Sequence, residues 1–226
     1  MKGFLWRGVW VGAVAATLLF CASTVGAQPR AGIFALSGSW SRAWISPDEL
    51  NRNLGFDNLS FAVSVPEFGT YRQIAGDLRY GVSERFAVEL QTGYWWIENS
   101  EGRVSRKLRA IPVLGNLVYF LHVAKGRSLS VVAGGGAFLD TQYSGNDPLG
   151  GFDQSKTALV VQGGLEVEQF VSDRWSGRIR GTRQWAGASD YFPDGGDLDL
   201  SGWEVQLGLR VYFRPSTPKE TEETDG

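Results

Sequence analysis

Apolar and polar residues alternate one for one along most of the chain between Phe34 and Phe213, in short runs separated by turn-forming residues. Phe34, Leu36, Trp40 and Trp44 oppose Ser37, Ser39, Ser41 and Ala43. Ile74, Leu78, Tyr80 and Val82 oppose Gln73, Asp77 and Arg79, and from Phe86 to Trp96 a face of Phe86, Val88, Leu90 and Tyr94 opposes Glu89 and Gln91. Lys107 to Leu121 sets Ile111, Val113, Leu117 and Tyr119 against a less polar inner set that includes Leu114, Asn116 and Val118. Leu129 to Gln142 sets Leu129, Val131, Ala137 and Leu139 against Ser130, Gly134, Gly136, Asp140 and Gln142. Leu159, Val161, Leu165 and Val167 oppose Gln162, Glu166 and Glu168, and Trp175, Ile179 and Trp185 oppose Arg178, Arg180, Thr182 and Gln184. The last run is the cleanest: Trp203, Val205, Leu207, Leu209, Val211 and Phe213 against Glu204, Gln206, Gly208, Arg210 and Tyr212. A period of two is that of a strand and excludes an amphipathic helix.

Eight strands result, with connections that alternate in length. Short turns are expected at Ser83-Glu84, Lys125-Gly126 and Ser172-Asp173, and longer loops over 45–70, 98–105, 143–156 and 186–198. The predicted fold is all-β: an eight-stranded antiparallel up-and-down transmembrane β-barrel, with both termini on the short-turn, periplasmic side. Leu59 to Val65 also alternates, but a ninth strand would part the termini, so it is read as structure within the first long loop. Ser46-Pro47-Asp48-Glu49 in that loop is a capping box with proline at the first helical position, which predicts a short helix near 47–54.

Composition agrees. No stretch beyond the N-terminus approaches the apolar length of a membrane helix, while 30 glycines and 13% aromatic residues suit a barrel in which every second residue faces lipid. The N-terminus itself carries Lys2 and Arg7, an apolar run from Val9 to Phe20, and Val25-Gly26-Ala27, the pattern of a secretory signal cleaved after Ala27. Residues 28–213 are then the barrel, and the acidic, Pro-containing segment 214–226 a disordered periplasmic tail. Loss of residues 1–27 removes the single cysteine, Cys21, and two cations, leaving 20 Lys+Arg against 24 Asp+Glu. That balance lacks the basic footprint of a nucleic-acid binder, and thiol chemistry is excluded.

The direction of the two faces is set by the aromatic residues. Trp44, Trp96, Trp185 and Trp203 fall at the loop ends of the apolar face, and Tyr80, Phe86, Tyr119, Trp175 and Phe213 at its turn ends. Two aromatic belts flanking an apolar band mark lipid interfaces, whereas a soluble lipocalin-like barrel would turn its apolar face inward. The polar face then fills the lumen, and Asp77, Arg79, Glu89, Glu166, Glu168, Arg178, Arg180, Glu204 and Arg210 are expected to form an interior ion-pair network.

Two segments carry a family resemblance: Arg79-Tyr80-Gly81-Val82-Ser83-Glu84-Arg85 with the strand after it, and Leu198 to Phe213. The closing Gln206-Leu207-Gly208-Leu209-Arg210-Val211-Tyr212-Phe213 resembles the assembly signal of bacterial outer-membrane barrels, although 13 residues follow its terminal aromatic. The chain resembles the bacterial outer-membrane β-barrel domain family, the small eight-stranded group that includes the barrel of outer-membrane protein A. The resemblance covers residues 32–213 and implies outer-membrane residence and the barrel-assembly machinery as a partner.

Catalytic patterns are weak. Gly181-Thr182-Arg183-Gln184-Trp185 sits where lipid A deacylases carry a His and a Ser, and has neither. The single histidine, His122, falls near a short turn without a base-and-nucleophile arrangement around it. Glu166 and Glu168 are expected to stay ionised beside arginines, the acidic Asp190, Asp194, Asp197 and Asp199 lack calcium-loop spacing, and Gly134-Gly135-Gly136 has no following lysine for a phosphate. No catalytic residue, metal or cofactor is therefore assigned. Arg42, Arg72, Lys107, Arg109 and Arg183 have lipid-facing parity near the loop ends, level with the phosphates of lipopolysaccharide, and are its expected contacts. The sequence supports a structural, non-enzymatic outer-membrane barrel whose loop partner it does not name. A narrow channel or small-ligand-binding barrel, and a degenerate relative of the lipid A-modifying enzymes, are the alternatives.

Overall fold

The alternating runs form strands, and each pairs antiparallel with its neighbour. The computed structural model describes residues 31–45, 70–101, 104–124, 126–146, 153–191 and 197–213. The strands are β1 (Phe34–Ile45), β2 (Thr70–Gly81), β3 (Phe86–Glu101), β4 (Val104–Ala124), β5 (Arg127–Asn146), β6 (Asp153–Phe170), β7 (Trp175–Ala188), the two-residue β8 (Leu198–Asp199) and β9 (Gly202–Phe213). β7 pairs with β9, and β9 with β1, closing eight long strands into a barrel, with β8 a short extension against β7. The signal segment, the helix expected near 47–54, the Leu59–Val65 run and the tail lie outside the described residues.

The register fixes the shape. Followed across the strands from Phe34, the hydrogen-bonded row passes Tyr80, Val88, Leu117, Ala133, Gly163, Arg183 and Trp203 and returns to β1 at Trp44, ten residues further up (44 − 34). A stagger of ten over eight strands corresponds to a tilt of about 40° and a lumen that side chains alone can fill. The strands of β3 to β6 run 16 to 21 residues, well beyond the ~9–11 that span a bilayer, so these hairpins project past the membrane. Much of what the sequence suggested as loop over 98–105 and 143–156 is therefore strand.

Two short turns share one sequence pattern, Val82-Ser83-Glu84-Arg85-Phe86 and Val171-Ser172-Asp173-Arg174-Trp175. In the first, Ser83 Oγ accepts from the Arg85 and Phe86 amides at 3.3 and 3.1 Å. In the second, Ser172 Oγ accepts from the Arg174 and Trp175 amides at the same two distances. The serine replaces the backbone partner that a tight turn removes. Between β4 and β5, Gly126 takes the turn with φ 74°, a conformation that side chains disfavour.

One parity expectation fails. Asp140 and Gln142 were placed inward, but the β5–β6 register shifts between Phe138 and Thr141, and Asp140 (φ 50°) is exposed. The extra residue of this bulge flips the phase, so Thr141 and Tyr143 face the lumen instead. A pattern of strict alternation contains no signal for a bulge, which depends on how the neighbouring strand is aligned.

Candidate functional site

The lumen is layered, and the layers follow from residue order along each strand. Nearest the short turns lie two apolar clusters, Ile33, Ala35, Phe170 and Tyr212, and Ala87, Val118, Phe120 and Val132. Above them sits the charged layer: Asp77, Arg79, Glu89, Glu166, Glu168, Arg178, Arg180 and Arg210, all at most 3% exposed. Then come the amides Gln73, Gln91, Asn116, Gln162, Gln184 and Gln206 with Glu204. At the loop end an apolar cap closes the lumen, built around Tyr71, Trp95, Leu108, Phe138, Tyr191 and Leu198.

Within the charged layer four guanidinium groups meet four carboxylates. Glu166 is its hub, taking Arg79 at 2.8 Å, Arg180 at 2.6 Å, and Arg178 and Arg210 at 3.1 Å each. Glu89 takes Arg79 at 2.6 Å and Arg180 at 2.7 Å, and Asp77 takes Arg178 and Arg210. Glu168 lies 3.3 Å from Arg210 and accepts from Tyr212 Oη at 2.6 Å and from Ser176. Glu204 stands one layer away, where it accepts from the amides of Gln184 and Gln206. The structure thus groups eight of the nine residues expected in the network, with Glu204 beside it and hydrogen-bonded to amides. Burying so many charges is sustained only when each is matched, and here nearly every guanidinium arm has a carboxylate oxygen.

The sequence did not reveal how the ends are sealed. Tyr71 packs against Trp95 with centroids 4.7 Å apart and the rings tilted, and donates to Gln184 at 3.0 Å, joining cap to amide layer. Tyr191, just after β7, donates to the Thr141 carbonyl at 2.9 Å, and its burial pushes the phenol above its ordinary pKa. The inward parity of Tyr71, Trp95 and Phe138 was the available signal, but apolar residues on a polar face acquire meaning only when the layers are assembled.

On the outer wall Phe34 and Tyr80 pack 4.6 Å apart, Phe86 and Tyr119 4.9 Å apart, both at the turn end, and Phe213 lies opposite Phe34. Trp175 is exposed at the same end. At the loop end Trp44 faces Trp203, Trp185 lies on β7 beside β9, and Trp96 lies on β3, two strands from β1. Arg183 lies over the Trp185 and Trp203 rings at 5.9 and 5.7 Å. One row carries Arg42, Arg72, Trp96 and Arg109 on β1 to β4, Arg109 hydrogen-bonding Gln142 at 2.8 Å, while Lys107 lies opposite Glu98. Arg42 and Arg72 face each other without an ion-pair partner among the described residues. His122 is exposed near the β4–β5 turn, and no cluster of metal-ligating side chains occurs among the described residues.

Comparison with solved structures finds the attachment invasion locus protein of Yersinia pestis at 14% identity, covering 81% of this chain and 99% of that one, with a TM-score of 0.49. Neisserial surface protein A aligns at 14% identity over 80% of this chain and 99% of its own, TM-score 0.49. OprG from Pseudomonas aeruginosa aligns at 14% over 82% and 98%, TM-score 0.46. A comparison with curated proteins finds no match. The family model described as outer membrane protein beta-barrel domain matches residues 12–213. With that match spanning nearly all of the sequence, the chain belongs to the outer membrane protein β-barrel domain family, whose place is the outer membrane.

Proposed function

We propose that the protein is a structural, non-enzymatic component of the outer membrane, a closed barrel that anchors its long loops at the cell exterior and does not conduct solute. The layered lumen carries this reading: charged and amide layers bonded across the barrel, with an apolar cluster at either end. Water and ions entering such a lumen would have to break buried ion pairs, each costly to leave half-made. Both termini are periplasmic in this arrangement, a cleaved signal delivers the chain, and the closing strand β9 engages the barrel-assembly machinery.

Catalysis has no place in it. His122 is exposed at the turn end, and the lumenal carboxylates are engaged by arginines and amides. The arginines of the loop-end wall supply contacts to lipopolysaccharide. Recording the purified, folded protein in planar bilayers tests the central claim. A flat current trace is expected, and discrete, reproducible conductance steps would make it a channel instead.

A further inference from the structure

The charges enclosed in the lumen do not sum to zero. Among the described residues five carboxylates are buried, those of the charged layer and Glu204, against four buried arginines. One negative charge is left over. The four carboxylates of the charged layer share the arginines, so the excess falls on Glu204. Its hydrogen bonds come from the neutral amides of Gln184 and of Gln206, the second at 3.2 Å, and among the described residues no ion pair reaches it. A carboxylate shut away from water keeps its charge only where a counter-charge repays the desolvation, and an amide carries none.

Around Glu204 the same wall holds oxygen atoms without hydrogen-bond partners. Thr182 stands directly opposite it on β7, with Oγ1 unpaired. Gln206, two residues along the same lumenal face, gives its amide N–H to Glu204 and leaves Oε1 unpaired. The row through Gln206 continues across Ser41 to Gln73, where neither end of the amide is paired. Thr182, Gln206 and Gln73 are all at most 1% exposed, and buried polar atoms left unpaired are both uncommon and costly. Water would pair these oxygens but leave the charge uncancelled. A proton on Glu204 would cancel the charge but leave the oxygens unpaired. A hard cation does both, since its preferred ligands are oxygens, and a single positive charge brings the lumen to neutrality where a divalent ion would overshoot. With one carboxylate, this group differs from the clusters of acidic, Cys or His side chains that hold multivalent metals, of which the described residues have none.

We propose that the amide layer holds one monovalent alkali cation, bound by the Glu204 carboxylate, Thr182 Oγ1 and the side-chain oxygens of Gln206 and Gln73. The ligands are divided by the β1–β9 junction, with Thr182, Glu204 and Gln206 on β7 and β9 and Gln73 on β2 beyond β1. That junction closes the barrel, so the set is complete only after closure. The cap of Tyr71 and Trp95 lies above it and the arginines below, which makes the cation an enclosed structural component rather than a permeating solute.

The test is equilibrium unfolding of the full folded chain in detergent, in sodium, potassium or N-methylglucamine chloride at one ionic strength and pH. N-methylglucamine is too bulky for the lumen. Once the site is saturated, each tenfold rise in the preferred alkali cation, with N-methylglucamine making up the salt, should raise the folding equilibrium constant about tenfold. Glu204→Gln, a neutral isostere, should remove this dependence. Thr182→Val keeps the charge and loses one oxygen, and should shift the cation concentration for half the effect upward by about tenfold. An unchanged mobility shift on boiling shows that each variant is folded. Thallium(I), close to potassium in size, then locates the ion in crystals, with an anomalous peak expected against Glu204. Equal stability in the three salts, a Glu204→Gln variant with the parent's dependence, or no thallium peak at Glu204 would each overturn the site, and a parent indifferent to the cation but stabilised by acid would give Glu204 a proton instead. None of these readouts is a current, so the sealed-barrel proposal stands or falls separately.

Discussion

Glu166 on β6 and Arg79 on β2 meet at 2.8 Å although their strands lie on opposite sides of the barrel, four strands apart in either direction. The contact spans the lumen and ties the two walls together directly. Glu166 also holds Arg178, Arg180 and Arg210, so its removal leaves several guanidinium groups short of a counter-charge. Glu166→Ala should cost about 3–5 kcal/mol, the usual penalty for breaking a buried pair. Urea unfolding in detergent, followed by the mobility difference between boiled and unboiled protein, measures it.

Filling the loop-end cap is a separate source of stability. Trp95 is fully buried between Tyr71 and Phe138, with ring centroids 4.7 and 6.0 Å away. Trp95→Ala should destabilise by about 3–5 kcal/mol through the cavity it leaves. The bilayer current should remain flat, because the charged and amide layers beneath are untouched.

The two matching turns give an additivity test. Ser83→Ala and Ser172→Ala each remove one hydroxyl that accepts from two turn amides. Each should cost about 1 kcal/mol, and the double variant the sum within ~0.5 kcal/mol, since the turns share no partner. A shortfall larger than that in the unfolding midpoints would mean that the turns are coupled.

The membrane-facing wall can be probed at Leu209, which is 62% exposed and sits midway along β9. Leu209→Arg should destabilise the bilayer-inserted barrel by about 2–4 kcal/mol, the cost of a cation near the midplane. In a water-soluble barrel the same change would be close to neutral. Refolding equilibria in lipid vesicles discriminate the two.

Glycines of the lumenal face should behave differently from those of the outer wall. Gly164→Ala places a methyl group against the Gly181 carbonyl and the Thr182 backbone, so β6 and β7 must separate to admit it. It should lower the yield of heat-modifiable barrel, whereas Gly38→Ala should leave it unchanged. The glycines thus fall into at least two kinds, those at close strand approach inside and those, such as Gly38 and Gly177, with open space on the outer wall.

Much of this architecture is legible one strand at a time. Period-two alternation places Trp203 to Phe213 and Phe34 to Trp44 on the correct face because a strand's side chains alternate whatever its neighbours do. It fails at Asp140, where a bulge against β6 shifts the phase. The charged lumen was legible as a set of residues but not as a set of pairs. Glu168 lies opposite Arg178 across one hairpin, yet it meets Arg210 on β9 and Arg79 on β2. Long side chains in a lumen this narrow choose partners across it as readily as alongside.

The amino-acid order alone determined which faces are apolar, how many strands there are, where the tight turns fall and which charges go inside, because each is a local property of a few consecutive residues. Only the closed barrel decided which arginine meets which carboxylate, how both ends of the lumen are plugged, and that Gly38, Gly76 and Gly177 share one row. Those relations depend on the stagger between strands far apart in the chain, and a stagger of ten residues is a property of closure that no single strand contains.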